Sequence, residues 1–194
     1  MTPKTLQLQI ANAPCSWGVL EFEEQAAVGY DYARVLDQMR SAGYDGTELG
    51  DWGFMPTDPG QLRDALGARG LSLVGAFVPV RLADPAALDG GRTSAIRTAT
   101  LLRDAGFPGA FVVLADDIAA SPERTAVAGR VGLEHRLSPS DRAIFAAGAD
   151  LVACAVREAT GLRTVFHHHC ASYIETPDEI TDLMDRTNPD VLGL

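Results

Sequence analysis

An α/β chain built on a parallel sheet is what this sequence predicts, on three observations. Strand-like and helix-like stretches alternate along the 194 residues in the order β-α-β-α-β-α-β-α-β-α-β. Two of the strand-like runs, Leu71 to Val78 and Ala110 to Ala115, are almost wholly apolar, which suits strands covered on both faces. The residues best equipped to bind or react, Ser16, Trp17, Glu48, Asp116, His167 and His169, fall at the C-terminal ends of different strands. That is the edge at which parallel α/β sheets build their sites.

Each element has a local reason. Leu6 to Ile10 alternates apolar and polar residues as a strand does, and runs into the turn-forming stretch from Ala11 to Gly18. Tyr30 to Ala42 carries Val35, Leu36 and Met39 at helical spacing and stops at Gly43. Gly46 to Leu49 is a short second strand, ended by Gly50-Asp51-Trp52-Gly53. The next helix has Pro59 near its start, sets Leu62, Ala65 and Leu66 on one face, and ends near Gly70. After the third strand, a helix fills Pro85 to Ala105, with Gly90-Gly91 weakening its first half.

The fourth strand ends at Asp116-Asp117, read as solvated loop acids with Asp116 the better functional candidate. From 118 to 137 the chain has no clear face and reads as an extended loop, with a turn of helix near Arg124 to Val127. Ser138-Pro139-Ser140 caps an alanine-rich helix that runs through Ala159 and closes at Gly161. Arg163 to Cys170 is a fifth strand ending in three of the four histidines. Period-two alternation puts His167 and His169 on one face with Val165, and turns His168 towards the helices. Thr176-Pro177-Asp178-Glu179 is a capping box that starts a helix to about Arg186, and Val191 to Leu194 begins a sixth strand.

Composition narrows the class. A hydrophobic fraction of 46% beside 22% charged residues suits one globular domain over 1–194 with a sizeable core. The net charge of −10 counts against nucleic acid as a partner, because that binding relies on basic residues neutralising phosphates. No apolar run approaches the ~20 residues of a membrane helix, and no signal-type segment opens the chain, so the expectation is a soluble, cytoplasmic protein. Three widely spaced cysteines, Cys15, Cys154 and Cys170, point to reduced thiols, with Cys170 expected as a small buried one.

Two architectures share this element order, an open doubly wound sheet and a (β/α)8 barrel. The dinucleotide-binding version of the first requires Gly-x-Gly-x-x-Gly after its first strand, where this chain has Ala-Pro-Cys-Ser-Trp-Gly. The expected fold is therefore of the parallel (β/α) TIM-barrel type, incomplete, running from a first strand to a sixth.

Three motifs at consecutive strand ends carry a resemblance. They are Ala13-Pro14-Cys15-Ser16-Trp17-Gly18-Val19; Tyr44-Asp45-Gly46-Thr47-Glu48-Leu49-Gly50 with Trp52-Gly53 and Pro56; and Phe166-His167-His168-His169 followed by Ile174-Glu175-Thr176. With them the chain resembles the xylose-isomerase-like TIM-barrel superfamily of sugar phosphate isomerases and epimerases, and within it the inosose dehydratase branch of myo-inositol catabolism. The resemblance implies a divalent metal, Mn²⁺, Co²⁺ or Mg²⁺ with Zn²⁺ also suited, and proton transfer beside the carbonyl of a small sugar or cyclitol. Such barrels usually run to roughly 250 residues or more, so their last third, with its further ligands, has no counterpart here. The metal site is expected to be incomplete.

The resemblance implies His167 and His169 as metal contacts, with Glu48 and His169 as the catalytic pair. Ser16, Trp17, Asp116 and Glu175 are then candidates for contact with substrate. Each has a structural rival: a hydrogen-bonded histidine pair, a buried ion pair for Glu48, a core plug for Trp17, a brace for the turn at Ser16, and a helix-dipole role for Glu175. Two other readings compete for the whole chain. It is a catalytically inert barrel remnant that self-associates through open sheet edges, or a barrel of the apurinic-site endonuclease type, which the acidic balance disfavours.

Overall fold

A computed structural model describes residues 8–18, 31–117 and 121–194. The strands are β1 (Ala11–Asn12), β2 (Gly46–Glu48), β3 (Ser72–Val80), β4 (Phe111–Asp116), β5 (Arg163–His167) and β6 (Leu192–Gly193). The helices are α1 (Tyr32–Ser41), α2 (Pro59–Gly67), α3 (Pro85–Asp104), α4 (Pro122–Ala126), α5 (Pro139–Thr160) and α6 (Pro177–Arg186), with 3₁₀ turns at Pro14–Trp17 and Leu133–His135. Leu6 and Gln7 of the expected first strand lie outside the described residues, and the strand itself is later and shorter than its alternation suggests. Leu8 and Ile10 stand exposed ahead of it, while Asp45 N–H donates to the Ile10 carbonyl at 2.7 Å.

Short polar side chains start the helices. Asp31, Asp58, Asp84, Ser121, Ser138 and Thr176 each accept a hydrogen bond from a backbone N–H of the first turn, and in all but the first case a proline follows immediately. The cap satisfies a donor the helix cannot, and proline at the first helical position forfeits none. Because these starts follow the strands, they fix where the chain leaves the sheet.

The strands pair in parallel in the order β1-β2-β3-β4-β5-β6. A doubly wound sheet reverses its strand order at a switch point; here each strand lies beside the next in sequence, which is the winding of a barrel. The sheet is not closed, and β1 and β6 form its edges. Rows of side chains run across it. Ala76, Val112, Thr164 and Leu192 make one row and Val78, Leu114 and Phe166 the next, all buried beneath the helices. On the opposite face the rows are Phe77, Val113 and Val165, then Pro79, Ala115 and His167.

That second face corrects one expectation. The apolar run of β3 suggests cover on both sides, yet Ser72, Val74 and Pro79 are exposed. The first face is packed tightly by small residues of α3 and α5, Ala95, Ala99, Ala149 and Ala153, with Phe145 against Phe166. Gly90-Gly91 does not interrupt α3. Gly91 is where the helix crosses Val80, and a Cβ there would overlap that side chain, so the glycine serves the close approach.

Candidate functional site

The histidines lie where β5 stops. The strand ends at His167, so its alternation no longer governs His168, which is exposed and not turned towards the helices as expected. The turn that follows nevertheless returns His169 to His167. Their rings are 4.2 Å apart between centroids and nearly perpendicular, at 82°. Phe77 backs both, with its ring 6.5 Å from His167 and 5.7 Å from His169, edge to face. Burial, and then the charge of the neighbouring histidines, pulls His169 down to about 4, and the same causes lower His167. Both imidazoles are therefore neutral at pH 7 and able to accept a proton or bind a cation. Cys170 is exposed, contrary to the expected buried thiol, because it occupies the turn and not a strand.

The loop from β5 to α6 is braced from several sides. Glu175 accepts from Ala171 N–H at 2.6 Å and from Gly129 N–H at 2.7 Å. Its carboxylate thus holds Ala171 at φ 72°, a conformation that costs a side-chain-bearing residue roughly 1 kcal/mol or more. Ser172 donates through its N–H and its hydroxyl to the His169 carbonyl. Beneath them Glu179 accepts from the backbone N–H of Glu175 and Thr176 at 3.0 and 2.9 Å, and forms a bidentate pair with Arg124 at 2.9 and 3.0 Å. Both side chains are buried. Burial raises the Glu179 carboxyl, but hydrogen bonds from Arg124, Thr176 and Glu175 outweigh it and hold it below the usual range. Arg124 also donates to the His135 carbonyl at 2.9 Å, tying the irregular segment around α4 to the histidine loop.

Asp116 lies on the opposite side of the sheet from the histidines. As the last residue of β4 it follows Val112 and Leu114 on the helix side and pairs with Val80, 1% exposed. This overturns the reading of a solvated loop acid; Asp117 is the outer one, paired with Arg81 at 2.9 Å. Asp116 Oδ2 accepts from Tyr173 N–H at 3.2 Å, and Oδ1 has no hydrogen-bond partner among the described residues. Burial pushes the carboxyl up to about 7, against the opposing hydrogen bonds of the Tyr173, Leu82 and Asp117 N–H groups. Asp116 and Glu175 thus both brace the histidine loop, from below and from within.

The far side of the rim is assembled separately. Asn12 Oδ1 accepts from Ser16 Oγ and from Ala13 N–H, both at 2.8 Å, while Asn12 Nδ2 donates to Tyr44 Oη at 3.0 Å. Trp17 packs edge-on against Tyr44, 5.9 Å between centroids, on the margin of the core. Glu48, half-buried at the end of β2, is raised by desolvation. Three strand spacings separate β2 from β5, roughly 14 Å along the sheet, so Glu48 and the histidines flank the mouth without touching. The sequence pattern brings His167, His169, Glu48 and the Ser16 turn to strand ends, and there they stand. It misses Phe77 and Arg124, which carry no local signal, although Glu179 was visible through its capping box.

The two imidazoles are donors suited to a borderline cation. Among the described residues, however, no group of three or more His, Cys, Asp or Glu side chains is placed to hold a metal ion. The described donor set does not make a metal centre by itself.

No family model matches the chain. It is 28% identical over 187 residues to the inosose dehydratase of Geobacillus kaustophilus strain HTA426, covering 96% of this chain and 58% of that protein. It is 31% identical over 189 residues to the rhizopine catabolism protein MocC of Rhizobium meliloti, covering 94% and 53%. Among solved structures it is similar to a xylose isomerase-like TIM-barrel protein of Mycobacterium smegmatis in complex with magnesium, at TM-score 0.63 and 17% identity over 96% of this chain and 63% of that one. The 3-keto-D-glucoside 4-epimerase YcjR of E. coli gives TM-score 0.63 at 14% identity, over 96% and 66%. The chain spans little more than half the length of the curated relatives it matches. By its strand winding and these likenesses, the chain has the fold of the xylose-isomerase-like TIM barrels, and its sequence resembles the inosose dehydratases.

Proposed function

We propose that this chain carries part of the catalytic face of an enzyme that isomerises, epimerises or dehydrates a small sugar or cyclitol by moving a proton next to a carbonyl. The observation that supports this most directly is the pair of neutral imidazoles, His167 and His169, held 4.2 Å apart against Phe77 at a strand end. A base removes the proton from the carbon beside the carbonyl, the C–H electrons form a C=C bond, and the carbonyl oxygen takes up the charge. Return of the proton to the other face or to the neighbouring carbon gives an epimer or an isomer, and expulsion of a β-hydroxyl with a proton gives water and an enone.

In this reading His169 accepts the proton, since its lone pair is free of protonation at neutral pH. Glu48, across the mouth and raised by burial, meets hydroxyls on the far side of the ligand and exchanges protons there. Trp17 and Ser16 line the turn beside it, while Asp116 and Glu175 act on the ligand only through the loop they brace. With His169 taking the proton, His167 would be this chain's contribution to holding a divalent metal, which would supply charge stabilisation beside the carbonyl.

Exchange of the α-proton of an inosose or a ketose into deuterated buffer, followed by NMR with Mg²⁺, Mn²⁺ or Co²⁺ supplied, tests the reading. The parent is expected to catalyse exchange, or loss of water from the inosose. Each of His169→Ala and Glu48→Gln is expected to slow it by about 10²-fold or more. Turnover indifferent to both substitutions would remove these residues from the reaction.

A further inference from the structure

A second feature lies away from the histidines, between the ends of β2 and β3. β2 stops where Glu48 pairs with Gly75, whereas β3 continues to Val80. Pro79, which has no N–H to give a neighbouring strand, sits in this unpaired extension. The loop from Leu49 to Trp52 and this extension line a cleft of about 220 Å³ that reaches α3. One wall carries Ser94, Arg97 and Thr98, spaced i, i+3 and i+4 and therefore on one face of the helix. Across from them are Asp51 and Trp52.

Arg97 is the distinctive group. Its guanidinium carbon lies 3.9 Å above the centre of the Trp52 ring. Most described arginines pair with a carboxylate; Arg97 has no such partner among the described residues, in a chain with 26 acidic residues to 16 basic ones. Stacking on an aromatic face fixes the plane of a guanidinium and leaves its N–H edge directed outward, the edge that matches two oxygens of one oxyanion. Ser94 and the buried Thr98 bring hydroxyl groups to the same lining. Asp51 does not neutralise Arg97, and burial in the cleft already raises its carboxyl.

We propose that this cleft is a binding site for an oxyanion, the carboxylate or phosphate group of a small ligand, with Arg97 as its anchor and Ser94 and Thr98 as further donors. The site is distinct from the reaction proposed above and requires neither histidine. Phe77 lines the cleft and also backs the histidine pair, so a ligand anchored at Arg97 extends towards the mouth of the sheet.

Isothermal titration calorimetry of the parent chain with inorganic phosphate and with malonate, against chloride at matched ionic strength, tests the site. Saturable binding of either anion beyond chloride is expected, and which one binds identifies phosphate or carboxylate as the recognised group. Arg97→Ala is expected to weaken it about tenfold or more, and Arg97→Lys less, because lysine keeps the charge but not the fork. Asp51→Asn, which removes a like charge, is expected to tighten binding several-fold. Arg97 is exposed, so its substitution leaves the core untouched, and circular dichroism verifies the fold of each variant. Trp52 fluorescence, isolated in a Trp17→Phe background, gives an independent readout. No saturable binding of either anion, binding unchanged in Arg97→Ala, or weaker binding in Asp51→Asn overturns the proposal.

Discussion

The two halves of the rim are held together by different forces. Around β4 and β5 the bracing comes from ionisable side chains: the Arg124–Glu179 pair is buried and bidentate, half-buried Glu175 grips two backbone N–H groups, and Asp116 is enclosed beneath Tyr173. Around β1 and β2 the bracing is neutral and mostly at the surface, an Asn12–Tyr44–Ser16 cluster beside an edge-on Trp17. Buried charge is costly to strand, so the first half is fixed in one arrangement or lost. Neutral hydrogen bonds compete with water at nearly equal strength, so the second half yields by small steps.

That contrast is broken most forcefully at Arg124. Arg124→Ala leaves Glu179 buried without its partner, and a loss of about 3–5 kcal/mol is expected, measured by urea denaturation. Replacing both partners with apolar residues of similar volume is expected to recover much of that loss, because no charge is then stranded. If Arg124→Ala costs no more than an exposed pair, about 1 kcal/mol or less, the braced half is not held by this pair.

The effect of Asp116 depends on pH. Its folded pKa is raised to about 7 from an ordinary 3.8, so the folded protein binds the extra proton between those values. The stability this group contributes is therefore complete below about pH 4 and is lost as pH rises through 7. Asp116→Asn cannot ionise, so its stability relative to the parent is expected to climb across that window. His169, lowered to about 4, works in the opposite direction, since stability falls as pH drops from about 6.5 towards 4. Denaturation midpoints of parent and variant from pH 4 to 8 separate the two, and a constant difference would show that Asp116 does not titrate in this range.

The smallest effect is expected on the other half. Tyr44→Phe removes the acceptor of Asn12 Nδ2 while keeping the ring that meets Trp17, and should cost about 0.5–1.5 kcal/mol without disturbing the NMR signals of His167 and His169. Broad shifts of those signals would show that the two halves are coupled and sharpen the comparison into one network.

Much of this was legible in the residues themselves. The pairing of Asp, Ser or Thr with a following proline at 58–59, 84–85, 121–122, 138–139 and 176–177 encodes where helices begin, because capping and proline geometry act over three or four residues. Helical spacing encodes Val35, Leu36 and Met39 as a buried face, and the apolar runs encode β3 and β4. The inward pair His167 and His169 follows from alternation up to His167, although a turn, not the strand, returns His169 to its neighbour. Asp116 shows the limit of local pattern. Its position at a strand end was evident, but its face and burial depend on β4 keeping its register to the last residue and on Tyr173, 57 residues away.

The sequence alone, then, determined the elements, their order and the residues brought to the rim, since these depend on short-range periodicity and capping. Only the tertiary structure decided that the strands wind consecutively, that Arg124 is buried on Glu179, that Phe77 backs the histidines, and that β3 outruns β2 to open a cleft under Arg97. Each of these depends on register and packing between segments far apart in the chain, where no local pattern reports which side chains will meet.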